Sequence, residues 1–173
     1  MTALQDFVAV AIGSTAARFT QEFPHPFLLL RLRQEEGRSD DWNFNTRTFT
    51  NFKPTLPKLG QDAAAYQAFA LVKAVHNPWP DRISIGRARN NDVVLADSSV
   101  SKLHLHLVRS PDGSFAVQDS GSRNGTQVAG VRARPGEIIP LKFGDLLTIG
   151  ALHLTYIASG ELHSLLLEKL EKT

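Results

Sequence analysis

The sequence predicts a mainly β protein, a sandwich or barrel with helices confined to its two ends. Three observations carry this expectation. From Arg82 onward, short runs alternate apolar and polar residues, the period of a strand with one buried face. Between the runs, Gly, Pro, Asn and Asp recur about every 8–12 residues, as in all-β folds. Helical spacing of apolar residues is confined to the stretches before Phe19 and after Ser159.

Taken in order, Thr2 and Gln5 match a capping box, and Leu4, Phe7, Val8, Ile12 and Phe19 follow at near-helical spacing. They predict an amphipathic helix over residues 3–19, weakened at Gly13. Pro24 and Pro26 end it and set up an extended entry. Phe27–Arg33 reads as a strand, and the alternation of Trp42, Phe44, Thr46 and Thr48 gives it a hairpin partner across polar Gly37–Asp41. Pro54, Pro57 and Gly60 mark residues 51–60 as a linker. Asp62–Val75 divides into a short helical turn near 62–66 and a strand over about 67–75, stopped by Asn77-Pro78-Trp79-Pro80-Asp81.

Short strands then follow one another. Arg82–Gly86 alternates, and Asp92–Leu95 is a brief strand. Leu103–Arg109 places Leu103, Leu105 and Leu107 on one face and His104, His106 and Val108 on the other. Pro111-Asp112-Gly113 turns into Ser114–Asp119. Gln127–Val131 reads as a tight turn between two edge strands. Ile138, Ile139 and Leu141 lead to a turn at Gly144-Asp145, and Leu146–Ile149 and Leu152–Ile157 form a last hairpin around Gly150-Ala151. Ser159–Thr173 changes to helical spacing, with Leu162, Leu165, Leu166 and Leu170 on one face. Glu161 stands in its first turn and Lys169 and Lys172 in its last, as the helix dipole favours. This helix is expected to pack on the sandwich or on the N-terminal segment. The organisation is thus an N-terminal α+β extension (residues 1–66), a β-sandwich domain (67–158) and a C-terminal helix (159–173).

Composition narrows the function. The 173 residues, 42% hydrophobic, suit one domain with extensions. Nineteen Lys and Arg against seventeen Asp and Glu leave a net charge of +2, with the bases scattered and aromatics few, so nucleic acid is not an expected partner. The absence of cysteine excludes disulfides, thiol catalysis and cysteine metal sites, and suits a reducing, cytoplasmic location. The apolar run Val8–Ile12 follows Asp6, has no basic flank and is too short to span a bilayer, so neither a signal peptide nor a membrane anchor is expected.

The informative chemistry lies between Ile83 and Thr126. Arg87 follows Gly86 at a strand end, where a five-donor guanidinium can face an anion. Ser101 and Lys102 add a hydroxyl and an ammonium on a second loop, and Asn124-Gly125 adds an amide on a rigid turn. These groups can grip a phosphate but lack the parts to transform one. Ser101 and His104 stand three apart with no third group to orient them, which argues against a nucleophile–base pair. His104 and His106 lack a further metal ligand nearby, and no phosphate-binding glycine loop is present, so no metal, cofactor or enzymatic activity is expected.

The order of these pieces is more specific than any one of them. Gly86-Arg87, Asn91-Asp92-Val93-Val94-Leu95, Ser99-Val100-Ser101-Lys102-Leu103-His104, Asp119-Ser120-Gly121-Ser122-Arg123-Asn124-Gly125-Thr126 and Gly144-Asp145-Leu146-Leu147-Thr148-Ile149-Gly150 together closely resemble a forkhead-associated (FHA) domain over roughly Phe69 to Ala158. The resemblance implies a sandwich of two β-sheets that binds phosphothreonine peptides through loops at one end. It implies phosphate contacts from Arg87 and Ser101, with Lys102 also in reach, and a hold on the peptide backbone by Asn124. Gly86, His104, Gly125 and Thr126 would support the site, with His104 bracing its loops. Arg123 stands where the family often has Ser or Thr, so its contact is the least defined by the pattern. The implied partner is a phosphothreonine protein, tied to a serine/threonine kinase or its substrate, in a signalling adaptor role. The alternative is a phosphate-independent interaction module that uses sheet faces or the N-terminal extension.

Overall fold

The computed structural model describes residues 2–31 and 66–167, with side chains from Phe7 onward. The expected strand at 42–48, the linker at 51–60 and the end of the last helix, including Leu170, lie outside the described residues.

Two sheets pack face to face. The first has seven strands in the order β1 (Thr2–Ala3), β3 (Tyr66–Ala70), β2 (Phe27–Arg31), β12 (Leu152–Ile157), β11 (Leu146–Ile149), β8 (Thr126–Val128) and β9 (Val131–Arg132). The second has five, in the order β10 (Ile138–Leu141), β7 (Phe115–Asp119), β6 (Leu105–Arg109), β4 (Arg82–Gly86) and β5 (Val93–Val94). All pairs are antiparallel except β4 with β5, the one parallel ladder. The inward residues of both sheets, among them Leu28, Ile85, Leu105, Leu107, Leu147 and Leu154, are fully buried and form one core.

A second core explains why β2 does not alternate. Phe27, Leu28, Leu29 and Leu30 are all buried. Leu28 and Leu30 face the other sheet, while Phe27 and Leu29 face a layer of three helices, α1 (Leu4–Ile12), α2 (Ala16–Glu22) and α3 (Ser159–Leu167). Covered on both sides, the strand needs an unbroken apolar run. Phe7 meets Phe23 and Phe27 edge-on at 5.2 and 5.4 Å, and Leu162, Leu165 and Leu166 of α3 close the layer. His163 reaches the carbonyl of Ser14 at 3.1 Å, tying α3 to the link between α1 and α2. The C-terminal helix therefore packs on the N-terminal segment, and its apolar face is internal.

Four local expectations are corrected. The N-terminal helix is two helices: the chain breaks at Gly13, and Thr15 starts α2 by accepting the Arg18 N–H at 3.3 Å. Thr2 is not a helix cap but part of β1, which pairs Thr2 with Ala68 on the open edge of β3. The strand expected over 67–75 stops at Ala70. Beyond it the Leu71 N–H bonds the Pro26 carbonyl and the Ala74 N–H is captured by Asp92 at 2.7 Å, which draws the backbone off the sheet and leaves Val75 in solvent. Leu103 does not share the face of Leu105 and Leu107. It lies in the turn before β6 and is exposed, whereas His104 is fully buried. The edge-strand turn is as read: Ala129 and Gly130, at φ 48° and 82°, join β8 to β9 in the left-handed conformation suited to a tight hairpin.

Candidate functional site

Strand register brings the loops to one end of the sandwich. Ile85 pairs with Leu105, and Leu105 with Asp119, so the end of β4, the start of β6 and the end of β7 lie level. The turn between β11 and β12 arrives there from the other sheet, because Ile149 pairs with Thr126.

Gly86 sets how closely the first two loops approach. A Cβ there would collide with the Lys102 carbonyl and stand 2.9 Å from the Leu103 Cα, both backbone atoms. The close approach lets the Arg87 and Ala88 N–H groups donate to the carbonyls of Ser101 and Lys102 at 2.9 and 3.0 Å. Asn91 fills the corner, its amide donating to the carbonyls of Ala88 and Lys102 at 2.8 and 2.7 Å.

His104 joins the second loop to the third. The Ser101 N–H donates to its Nδ1 at 3.0 Å, so Nδ1 is an acceptor and the ring proton sits on Nε2. Nε2 then donates to the Gly125 carbonyl at 3.1 Å. Burial pushes the imidazole below its ordinary value, only partly opposed by the Gly125 carbonyl and the Asp119 charge, so the ring is held neutral.

Asp119 organises the third loop. Its carboxylate is buried and accepts the Gly121 and Ser122 N–H groups, each at 2.8 Å, and the hydroxyls of Ser122 and Thr126 at 2.7 and 2.6 Å. Burial alone would raise its pKa, but the Ser122 and Thr126 hydroxyls and these N–H groups outweigh it and hold the carboxyl below the usual range. Thr126 belongs to the first sheet and Asp119 to the second, so this bond also clamps the two sheets together at the site. Gly125 takes φ 81°, which an Asn-Gly turn supplies without strain.

On this frame the expected contact residues converge. Arg87 is exposed, and its Nε donates to the Val100 carbonyl at 3.2 Å, engaging one of its five N–H donors. The Ser101 hydroxyl accepts the Arg123 N–H at 3.0 Å, and among the described residues its own proton has no acceptor. Asn124 donates from its amide to the Ser99 carbonyl at 2.6 Å, which fixes the side chain while leaving its oxygen and second N–H for a ligand. Lys102 and Arg123 are exposed at the rim. Arg123 thus enters the network through its backbone. Ser99 in turn is held by Asp97 and receives the Ala151 N–H at 2.9 Å, bringing in the β11–β12 turn.

Residues 83–150 match the family model for the FHA domain. This stretch is an FHA domain. Within it, the motifs that carried the resemblance are the loops just described. An ABC transporter ATP-binding/permease protein of Mycobacterium tuberculosis is 39% identical over 77 residues, covering 44% of this chain and 8% of that protein. An oxoglutarate dehydrogenase inhibitor of Corynebacterium diphtheriae is 40% identical over 72 residues, covering 42% of this chain and 48% of that protein. The chain therefore spans less than half the length of these relatives. Mycobacterium tuberculosis EmbR, solved in complex with a low-affinity phosphopeptide, is similar at 26% identity and a TM-score of 0.45, over 55% of this chain and 22% of that one.

Four residues of this candidate site have roles that the sequence does not announce. Asn91, Ser99, Asp119 and Gly150 received no role, although all lie within the quoted motifs. Asp119 carried a usable signal: an aspartate followed by Gly, Ser and Thr invites side-chain capture of nearby donors. Gly150 carried none, because its closeness to Ser99, whose carbonyl would stand 2.6 Å from a Cβ, joins positions far apart in the chain.

Proposed function

We infer that the FHA domain reads phosphothreonine in a partner protein, and that the chain is a non-enzymatic adaptor in serine/threonine kinase signalling. One observation carries the reading. The Arg87 guanidinium, the Ser101 hydroxyl and the Asn124 amide are each fixed by one hydrogen bond to the loops and keep further hydrogen-bonding capacity. Phosphothreonine offers about −1.5 to −2 charges and three acceptor oxygens. Arg87 and Ser101 donate to the phosphate with Lys102 in support, and Asn124 holds the peptide backbone beside it. Arg123 favours acidic peptides through its charge at the rim. Ordering an extended peptide offsets part of this gain, giving roughly micromolar affinity.

Among the described residues no helix is long and apolar enough to cross a membrane. A cytoplasmic location belongs to the same proposal, since a kinase must reach the partner. The deciding experiment is a peptide array with phosphothreonine, phosphoserine and unphosphorylated versions of each sequence. Selective capture of phosphothreonine peptides is expected, and equal capture of all three forms would refute the reading. Triple substitution of Arg87, Ser101 and Asn124 by alanine should release a native partner. Retention of that partner would instead favour phosphate-independent docking.

A further inference from the structure

Arg132 lies outside the motifs that identify this domain, yet the fold carries its side chain to the loop end. It stands opposite Gln127 in the β8–β9 hairpin, with Val131 opposite Val128. Its side chain therefore shares a face of the sheet with Gln127, and with Gly125 two positions earlier. Diagonal neighbours on a strand pair lie about 7–8 Å apart, within reach of a long side chain. Arg132 uses that reach. A Cβ on Gly125 would stand 2.7 Å from the Arg132 Nη2, 3.0 Å from its Cζ and 3.4 Å from its Nε. The guanidinium thus lies against the bare Cα of Gly125, in space that only glycine leaves open, and Asn124 is the next residue of that loop.

Packing on Gly125, and not a polar partner, sets this position. Among the described residues the Arg132 guanidinium makes no hydrogen bond or ion pair, so its five N–H donors are all unspent. The Gly125 carbonyl is not its acceptor, because it takes the His104 Nε2 proton and the Gly150 N–H. Asp119, the buried carboxylate of the same loop, already accepts four donors. Arg87, Lys102 and Arg123 are exposed at the same end of the sandwich, as Arg132 is. Four exposed bases at one end of a chain whose net charge is only +2 are a local excess, which suits an acidic partner.

An arginine held at one spot differs from a base that only adds charge to a rim. Its planar fork donates two parallel N–H···O bonds to a carboxylate, a geometry that dictates where the carboxylate must stand. A peptide held through its backbone by Asn124 passes beside Gly125, and alternate side chains of an extended peptide face the surface it lies on. We propose that Arg132 is a specificity-determining residue, pairing with the carboxylate of one Asp or Glu close to the phosphothreonine, so that the ligand is an acidic phosphopeptide read at two points. The inference rests on the phosphothreonine reading above and adds a preference that phosphate recognition alone does not require. The pair forms at an exposed rim, where ion pairs are weak, so a discrimination of about three- to fivefold is expected, fading with added salt.

The test is an oriented library of phosphothreonine peptides captured by the full chain. In each pool one position near the phosphothreonine is set to Glu, Gln or Lys and the others are mixed, and an unphosphorylated copy of every pool is the control. At one position Glu should be captured about three- to fivefold better than Gln by the parent. Arg132→Gln should lose that gain, and Arg132→Glu should turn it into a preference for Lys at the same position. The Arg132 side chain is exposed and unpaired among the described residues, so neither variant should lower the thermal midpoint, which separates lost selectivity from lost folding. Phosphate-dependent capture with no preference that changes in either variant would overturn the inference and leave the phosphothreonine reading standing. A Glu gain spread equally over all positions and kept by Arg132→Gln would assign it to the other rim bases and overturn the role of Arg132. Equal capture of phosphorylated and unphosphorylated pools by the parent would overturn the phosphothreonine reading and this inference with it.

Discussion

Replacing His104 with leucine removes the imidazole's hydrogen bonds while nearly keeping its volume, so the cost reports the bracing and not a cavity. Two groups lose a partner. The Ser101 N–H loses its acceptor, and a buried unsatisfied donor costs roughly 1–3 kcal/mol. The Gly125 carbonyl loses the Nε2 proton but keeps the Gly150 N–H at 3.3 Å, so its cost sits at the low end of that range. The sum is about 2–4 kcal/mol, or about 5–15 °C in the thermal midpoint of a chain this size. Urea titration at pH 7.5 measures it directly. The pH dependence gives an independent check. The folded imidazole titrates below its ordinary value because burial penalises its charged form. A group whose folded pKa is depressed stabilises the fold fully above its unfolded value of about 6.5, and this is lost as pH falls toward the folded one. Parent stability should therefore drop between pH 7.5 and 5.5, and His104→Leu should lose that component. Measured without peptide, the drop is separate from protonation of a ligand phosphate, whose second pKa is about 6. A His104→Leu variant within 1 kcal/mol of the parent, with the same pH profile, would refute the bracing role.

Arg87→Ala and Ser101→Ala should each weaken phosphothreonine-peptide binding about tenfold or more by fluorescence anisotropy, without lowering the thermal midpoint substantially. Wild-type affinity in both would remove these residues from the site. Gly86→Ala should cost about 2–4 kcal/mol in urea unfolding, since the added methyl meets backbone at Lys102 and Leu103 that no rotamer change can clear. Asp119→Asn should also cost about 2–4 kcal/mol, because an amide offers one oxygen where four donors now bond two. The Asp119 carboxyl is held below its ordinary value, so its contribution is complete above about pH 4 and is lost as pH falls through the depressed value. The Asn variant should accordingly show a flatter acid limb, and an unchanged limb would contradict the assignment.

The strands between Arg82 and Ile157 were legible because turn chemistry and alternation agree there, and each strand is short enough for local pattern to fix it. The same reasoning failed where a distant group intervened. Val72 and Val75 look like strand residues, but capture of the Ala74 N–H by Asp92, eighteen positions on, decides their fate. Thr2 matches a helix start, yet the unpaired edge of β3 takes its backbone, and no local rule anticipates a partner sixty-six residues away. Leu103 carries the right period and the wrong structure, because burial of His104 immediately before β6 sets where alternation begins. In the site, Arg87, Ser101 and Asn124 stood out because their motifs appear in a fixed order. The braces did not, since the roles of Asn91, Ser99 and Asp119 exist only once the loops have met.

The helical layer bears on which surface remains for a partner. Had α1 and α3 kept their apolar faces outward, the N-terminal extension would be the natural docking platform. Instead Phe7, Phe19, Leu162, Leu165 and Leu166 turn inward and bury the outer face of β2 and β3. What the described part of the extension contributes is cover for a sheet strand that is apolar on both sides. Recognition therefore does not use the apolar faces of these helices. The loop end of the sandwich presents fixed donors on a frame held by His104 and Asp119.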